Sequence, residues 1–168
     1  MTLIHEWKIE YAKDLATALS NKKILDNLRD GLPYPYTGND AKEFITSMQN
    51  ADKNKVFAFA IVYKDKCIGS ISVTRQENIH FKTAELGYYI AEEYWGKGLT
   101  TRAVKEACEY VFDNSDIIRI FAEPFIHNVA SQRVLEKNGF FCEGILRNNA
   151  YKNGRVVDMK MYAKLKED

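Results

Sequence analysis

Eight consecutive residues, Tyr94-Trp95-Gly96-Lys97-Gly98-Leu99-Thr100-Thr101, lie between a strand-like run and a helix-like run. A turn in that position aims several unpaired N–H groups outward, and the helix dipole adds partial positive charge at the same end. Such an end binds phosphate. Gly96 and Gly98 let the backbone approach an anion closely, Lys97 adds a charge, and Thr100 and Thr101 offer hydroxyl donors. The plain alternative is a helix start that binds nothing. Spacing excludes two nucleotide motifs. A P-loop needs Ser or Thr after its lysine and an earlier glycine, but Gly98 follows Lys97 and no glycine stands at Ala91 or Glu92. A dinucleotide fingerprint needs a third glycine where Thr101 stands.

The elements that must position this turn are readable along the chain. Residues 3–10 read as a first strand. Leu15, Ala18, Leu19, Ile24, Leu25 and Leu28 have the spacing of one or two short helices between Asp14 and Arg29. Prolines and glycines make residues 31–38 a loop, and Thr37 or Asn39 caps the next helix, which carries Ala41, Phe44, Ile45 and Met48. Residues 56–75 read as a hairpin turning at Lys64-Asp65-Lys66, and residues 84–91 as a further strand. The helix after the glycine turn carries Ala103, Val104, Ala107, Val111 and Phe112 inward. Residues 117–122 form a strand stopped by Pro124. Asn128 caps a helix that Asn138-Gly139 ends. Residues 140–146 and 156–165 are two last strands, joined at Asn153-Gly154. The order β, α, α, β, β, β, α, β, α, β, β predicts a mixed α/β sheet with helices on both faces, in one domain over residues 1–168.

Composition narrows the partners. The chain has 168 residues, enough for one sizeable core. Lys and Arg number 24 against 23 Asp and Glu, a net charge of +1, so no strong field draws nucleic acid or an anionic membrane. Any anionic ligand must be held by a local site. Cys67, Cys108 and Cys142 lie far apart among apolar residues, which argues for small core hydrophobes rather than disulfides or a zinc site; no metal is expected. The N-terminus has no apolar signal region, and no run approaches the ~20 apolar residues of a membrane span. A reduced cytoplasm is the default reading.

A second segment, Asn128-Val129-Ala130-Ser131-Gln132-Arg133-Val134-Leu135-Glu136-Lys137-Asn138-Gly139-Phe140, completes a pattern. Together the two segments resemble the GNAT acyl-CoA N-acyltransferase family. Leu32-Pro33-Tyr34-Pro35-Tyr36-Thr37, Ala84-Glu85-Leu86-Gly87-Tyr88 and Glu143-Gly144 with Arg147, Gly154 and Asp158 extend the likeness toward the ribosomal-protein alanine acetyltransferases, over about Thr2 to Leu165. The resemblance implies a sheet of about seven strands whose fourth and fifth splay apart around acetyl-CoA, with CoA as product. It implies that the backbone from Trp95 through Gly96, Lys97, Gly98, Leu99, Thr100 and Thr101 cradles the pyrophosphate. It further implies that an N–H among Tyr89, Ile90 and Ala91 faces the acetyl oxygen. Asn128 and Ser131 would line the pantetheine arm. Lys137 reads either as a contact to an adenosine phosphate or as a last-turn lysine that faces solvent. Trp95 stands where the broad family has Arg or Gln, Thr100 where it has Gly or Ala, and Leu135 where many relatives carry a tyrosine acid.

The implied reaction moves acetyl from the thioester to a neutral amine. An α-amino group has a pKa of ~7.7–8.0 and a lysine side chain ~10.4, so an N-terminal amine needs only a weak base. Glu85 is the candidate base, its carboxyl raised by partial burial; its other reading is a solvated or ion-paired strand residue. Ser131 is the candidate donor to the leaving thiolate, or else a first-turn residue bonded to backbone. Tyr34 and Tyr36 line an acceptor pocket, or lid the core. The expected acceptor is a protein or peptide α-amine. The alternatives are a small-amine acetyltransferase, its pocket built from acids such as Glu6, Glu10, Asp30, Asp40 and Glu43, and a non-catalytic acyl-CoA sensor. The resemblance also implies a homodimer through the C-terminal strands.

Overall fold

Along the chain, strand-rich and helix-rich stretches alternate into seven strands and five helices in a computed structural model that describes residues 1–168. The order is β1 (Ile4–His5), α1 (Ala12–Leu19), α2 (Lys22–Leu25), α3 (Gly38–Asn50), β2 (Val56–Tyr63), β3 (Lys66–Arg75), β4 (Thr83–Ile90), α4 (Leu99–Asn114), β5 (Arg119–Ala122), α5 (Val129–Lys137), β6 (Phe141–Lys152) and β7 (Arg155–Leu165). No helix is long and apolar enough to cross a membrane.

Turn chemistry sets the hairpins. Lys64 and Asp65 both have positive φ, as do Asn153 and Gly154, so each pair forms a tight two-residue reversal whose twist matches its strands. Thr37 caps α3, and its side chain and that of Asp40 close a reciprocal capping box. The sheet order is β1-β2-β3-β4-β5-β7-β6, with every pairing antiparallel except β4–β5. That one parallel pair follows from the crossover through α4.

Alternation along β2 divides the interior. Phe57 and Ile61 join a core with Val104, Ala107 and Val111 of α4, while Ala60 and Val62 join another with Leu15 of α1 and Ile45 of α3. The helices therefore cover both faces of a mixed α/β sheet, as the sequence predicts.

Three expectations need correction. The first strand is only Ile4–His5, because the chain leaves the sheet to bury Trp7 against Phe44 and Tyr11. β6 runs on to Lys152 past a register shift between Leu146 and Ala150, an irregularity that hides the strand from a period-two search. Cys142 is exposed, since β6 is the sheet edge and carries no core face. Cys67 and Cys108 are buried as expected, and burial pushes both thiols up to about 12.

Candidate functional site

Pro124 lacks the N–H that would extend β5, so β5 ends at Ala122. It pairs with β4 only at Thr83, Ala84 and Glu85. β4 continues beside β3 to Ile90, leaving a gap on its other side. The Ala91 N–H donates to the Ile68 carbonyl at 2.7 Å. Antiparallel pairing alternates, so Tyr89 and Ala91 direct their N–H groups to β3, while those of Tyr88 and Ile90 point into the gap. Among the expected Tyr89, Ile90 and Ala91, the ladder leaves Ile90 as the gap-facing donor and adds Tyr88. A cleft of about 650 Å³ runs through this gap to the glycine turn.

At the turn, Gly96 and Gly98 both have φ of +74°. A Cβ at either would meet nothing within 4 Å, so conformation rather than space requires glycine here. No side chain caps α4 at Gly98, and the N–H groups from Gly96 to Thr101 have no acceptor in the chain. Trp95, Gly96, Gly98, Leu99, Thr100 and Thr101 line the cleft. Lys97 does not: its ammonium lies over the Tyr94 ring at 5.4 Å. Trp95 donates its indole N–H to the Ile90 carbonyl at 3.0 Å.

Across the cleft, the Asn128 side chain accepts from the Ser131 N–H at 3.2 Å and so starts α5. Asn128, Ser131 and Lys137 line the cleft with Arg133, which sequence reasoning passed over. Its spacing of four from Lys137 was the available signal, since such a pair shares one helix face. Leu135 is fully buried in the core. The phenol of Tyr88 meets the Ser131 hydroxyl at 2.6 Å, a contact absent from the sequence pattern.

Alternation along β4 sends Ala84, Leu86 and Ile90 to the α4 core and Glu85, Gly87 and Tyr89 to the opposite face. There Glu85 pairs with Arg29, whose guanidinium also lies 3.5 Å from Glu123. Burial, then the charge of Glu85, raises the Glu123 carboxyl above its ordinary range, and Arg29 pulls it back only in part. Ser72 and Thr74 line the same side. Neither Tyr34 nor Tyr36 lines the cleft. Tyr36 is 5% exposed among α1 and α3, and burial pushes its phenol up to about 12. Tyr34 stays exposed beneath the Lys22 ammonium. Arg29, Glu123, Ser72 and Thr74 were legible only as residues, because the fold alone brings them to Glu85.

Six N–H groups without acceptors, two nearby cations and a strand edge with free amides fit a pyrophosphate joined to an amide-bearing arm. The acetyltransferase (GNAT) domain model matches residues 2–141. The probable N-acetyltransferase YjcK of Bacillus subtilis is 35% identical over 136 residues, 79% of this chain and 75% of its own length. A spermidine N(1)-acetyltransferase of Vibrio cholerae is 28% identical, over 81% of this chain and 80% of its own. The crystal structure of a ribosomal-protein-S5-alanine acetyltransferase from Vibrio fischeri superposes with a TM-score of 0.87 at 27% identity, covering 98% of this chain and 93% of that one. The chain belongs to the GNAT acetyltransferase family, and it is an acetyl-CoA-dependent N-acetyltransferase rather than a non-catalytic sensor.

Proposed function

We propose that the acceptor is a protein or peptide N-terminal α-amine. The observation that carries this reading is Arg29, whose guanidinium lies across Glu85 and Glu123 and offsets one of their two charges at the acceptor side of the gap. A polycation would call for both carboxylates free, whereas the trio keeps a single negative charge. Two of the other candidate acids are engaged elsewhere: Asp30 pairs with Lys152 and Asp40 caps α3. A carboxylate base also suits an amine of pKa ~7.7–8.0 better than one near 10. The ribosomal-protein acetyltransferase from Vibrio fischeri, similar over nearly the whole chain, supports the same class.

Acetyl-CoA supplies an acetyl group activated as a thioester. Glu85, on one face, takes the proton an incoming amine must lose, directly or through water. The N–H groups of Tyr88 and Ile90 face the acetyl oxygen as negative charge grows on it. Ser131, on the other face, offers its hydroxyl to the departing sulfur. Gly96–Thr101 backbone donors hold the pyrophosphate, Asn128 contacts the pantetheine arm, and Arg133 with Lys137 attract the adenosine phosphates. Lys97 contributes its backbone only. Tyr34 and Tyr36 act through the loop they shape rather than by touching the acceptor. The homodimer implied by the resemblance would pair along β6, whose Phe141, Ile145 and Tyr151 are exposed at the sheet edge; light scattering of a monomer at all concentrations would rule it out.

Thiol release tests the acceptor. A peptide with a free N-terminal alanine should exceed both spermidine and a blocked peptide carrying lysine in kcat/KM. Glu85→Gln should lower kcat about 10²–10⁴-fold. One observation favours a polyamine instead: with Arg29 swung aside, Glu85 and Glu123 would form an acidic pair, and the spermidine enzyme of Vibrio cholerae is similar. Spermidine turnover above that of the peptide, rising further in Arg29→Ala, would decide for it.

A further inference from the structure

Tyr88 lies on β4 and Ser131 in the first turn of α5, 43 residues apart, yet their oxygens stand 2.6 Å from each other. A serine hydroxyl carries one proton and two lone pairs, and it rotates freely. Left alone in a first helical turn, it tends to turn that proton toward a backbone carbonyl. A neighbour that donates into the oxygen changes the outcome, because the proton must then point elsewhere. The phenol, with an ordinary pKa near 10, is far more acidic than the alcohol, so it is the donor in so short a bond. Burial raises the Tyr88 pKa, which keeps the phenol protonated over the working range. The phenol also touches the Ser131 carbonyl, at 3.3 Å, a longer contact that pins α5 to β4. The Ser131 N–H is held by Asn128, so both polar ends of the residue are oriented from outside. Both Tyr88 and Ser131 line the cleft.

We propose that Tyr88 is a positioning residue: it donates into the Ser131 oxygen and thereby aims the serine proton at the sulfur of the departing thiol. This rests on the reading of Ser131 as the sulfur's partner. As the C–N bond forms and the C–S bond breaks, the electron pair of the C–S bond stays on sulfur. The Ser131 hydroxyl donates a hydrogen bond to that charge, and Tyr88 keeps its own proton throughout. The amine's proton leaves through Glu85 to solvent, and the thiolate takes a proton from solvent after release.

Calorimetry with CoA and with desulfo-CoA, above pH ~8.5 where a free thiol ionises, reads this arrangement without turnover. Tyr88→Phe keeps the ring and so keeps the packing. It should weaken CoA at least about tenfold, the weight of a hydrogen bond to a charged group, and leave desulfo-CoA unchanged. In rate measurements kcat should fall while the KM for acetyl-CoA holds. Ser131→Ala should show the same pattern, and the double variant should lose no more than Ser131→Ala alone. Equal weakening of CoA and desulfo-CoA in Tyr88→Phe, no weakening of either, or additive losses in the double variant would overturn the proposal for Tyr88. If Ser131→Ala fails to discriminate the two ligands, the reading of Ser131 falls first and takes that of Tyr88 with it.

Discussion

The indole of Trp95 donates to the carbonyl of Ile90 at 3.0 Å and ties the last residue of β4 to the turn that follows. That carbonyl belongs to a residue whose polar groups face the gap, where β5 no longer pairs. Without the indole it would be left to the solvent of the cleft. Trp95→Phe keeps an aromatic ring but removes the donor. It should cost about 0.5–1.5 kcal/mol of stability, raise the KM for acetyl-CoA and leave kcat within about twofold of wild type, since no group of the reacting centre is lost. Denaturant unfolding and initial rates would check both parts.

Two glycines near the cleft should respond differently to alanine. At Gly98 a Cβ has open space but φ is +74°, so the strain should be about 1–2 kcal/mol. At Gly69 a Cβ would lie 2.1 Å from the Tyr89 carbonyl oxygen and 2.8 Å from the Ile90 Cα, both backbone. Gly69→Ala must therefore push β3 from β4, with a larger loss of stability and a displaced gap-facing strand. Unfolding midpoints with and without CoA should fall for both variants, and further for Gly69→Ala.

The Glu123 carboxyl sits above its ordinary value of 4.5, by burial first and then by the charge of Glu85. A raised carboxyl stabilises the fold below its unfolded value, and that contribution is lost as pH rises through the folded value. Glu123→Gln should therefore raise the unfolding midpoint at neutral pH, with the advantage shrinking toward pH 4. Midpoints measured across that range would show an unchanging difference if the group were not perturbed.

Glu106 has the opposite sign. Burial alone would raise its carboxyl, but donors from Thr2, Leu3, Ile4 and Arg102 together hold it below 4.5. Its stabilisation is present above the unfolded value and is lost as pH falls through the folded one. Glu106→Gln should free the N-terminal strand at neutral pH, with faster amide exchange at Leu3 and Ile4, while near pH 3 the variant and wild type should converge.

Local chemistry was legible in the sequence, and long-range placement was not. Asn153-Gly154, the Thr37 cap, the Asn128 cap and the Gly96–Gly98 turn each depend on neighbouring residues, and each stands where the pattern puts it. Residues 3–10 look like a strand because Trp7 is apolar, but its partners Phe44 and Tyr11 draw it off the sheet. Tyr36 looks available to an acceptor, yet it fills the α1–α3 core. Glu85 stood out by motif alone; that Arg29, 56 residues away in a loop, would meet it has no local signature. Tyr88 and Ser131 are hidden for the same reason, since their contact depends on how β4 and α5 pack.

The most direct test of the site is thermal unfolding with acetyl-CoA, CoA, ATP and NAD, on wild type and on Arg133→Ala with Lys137→Ala. Ligand at 100 times its dissociation constant stabilises by about 2.7 kcal/mol, which in a chain of this size moves the midpoint by roughly 5–11 °C. The β4–β5 cleft predicts that shift with acetyl-CoA and CoA, little with ATP or NAD, and a smaller shift in the double variant. No shift with either CoA species, or an undiminished shift in the double variant, would contradict it.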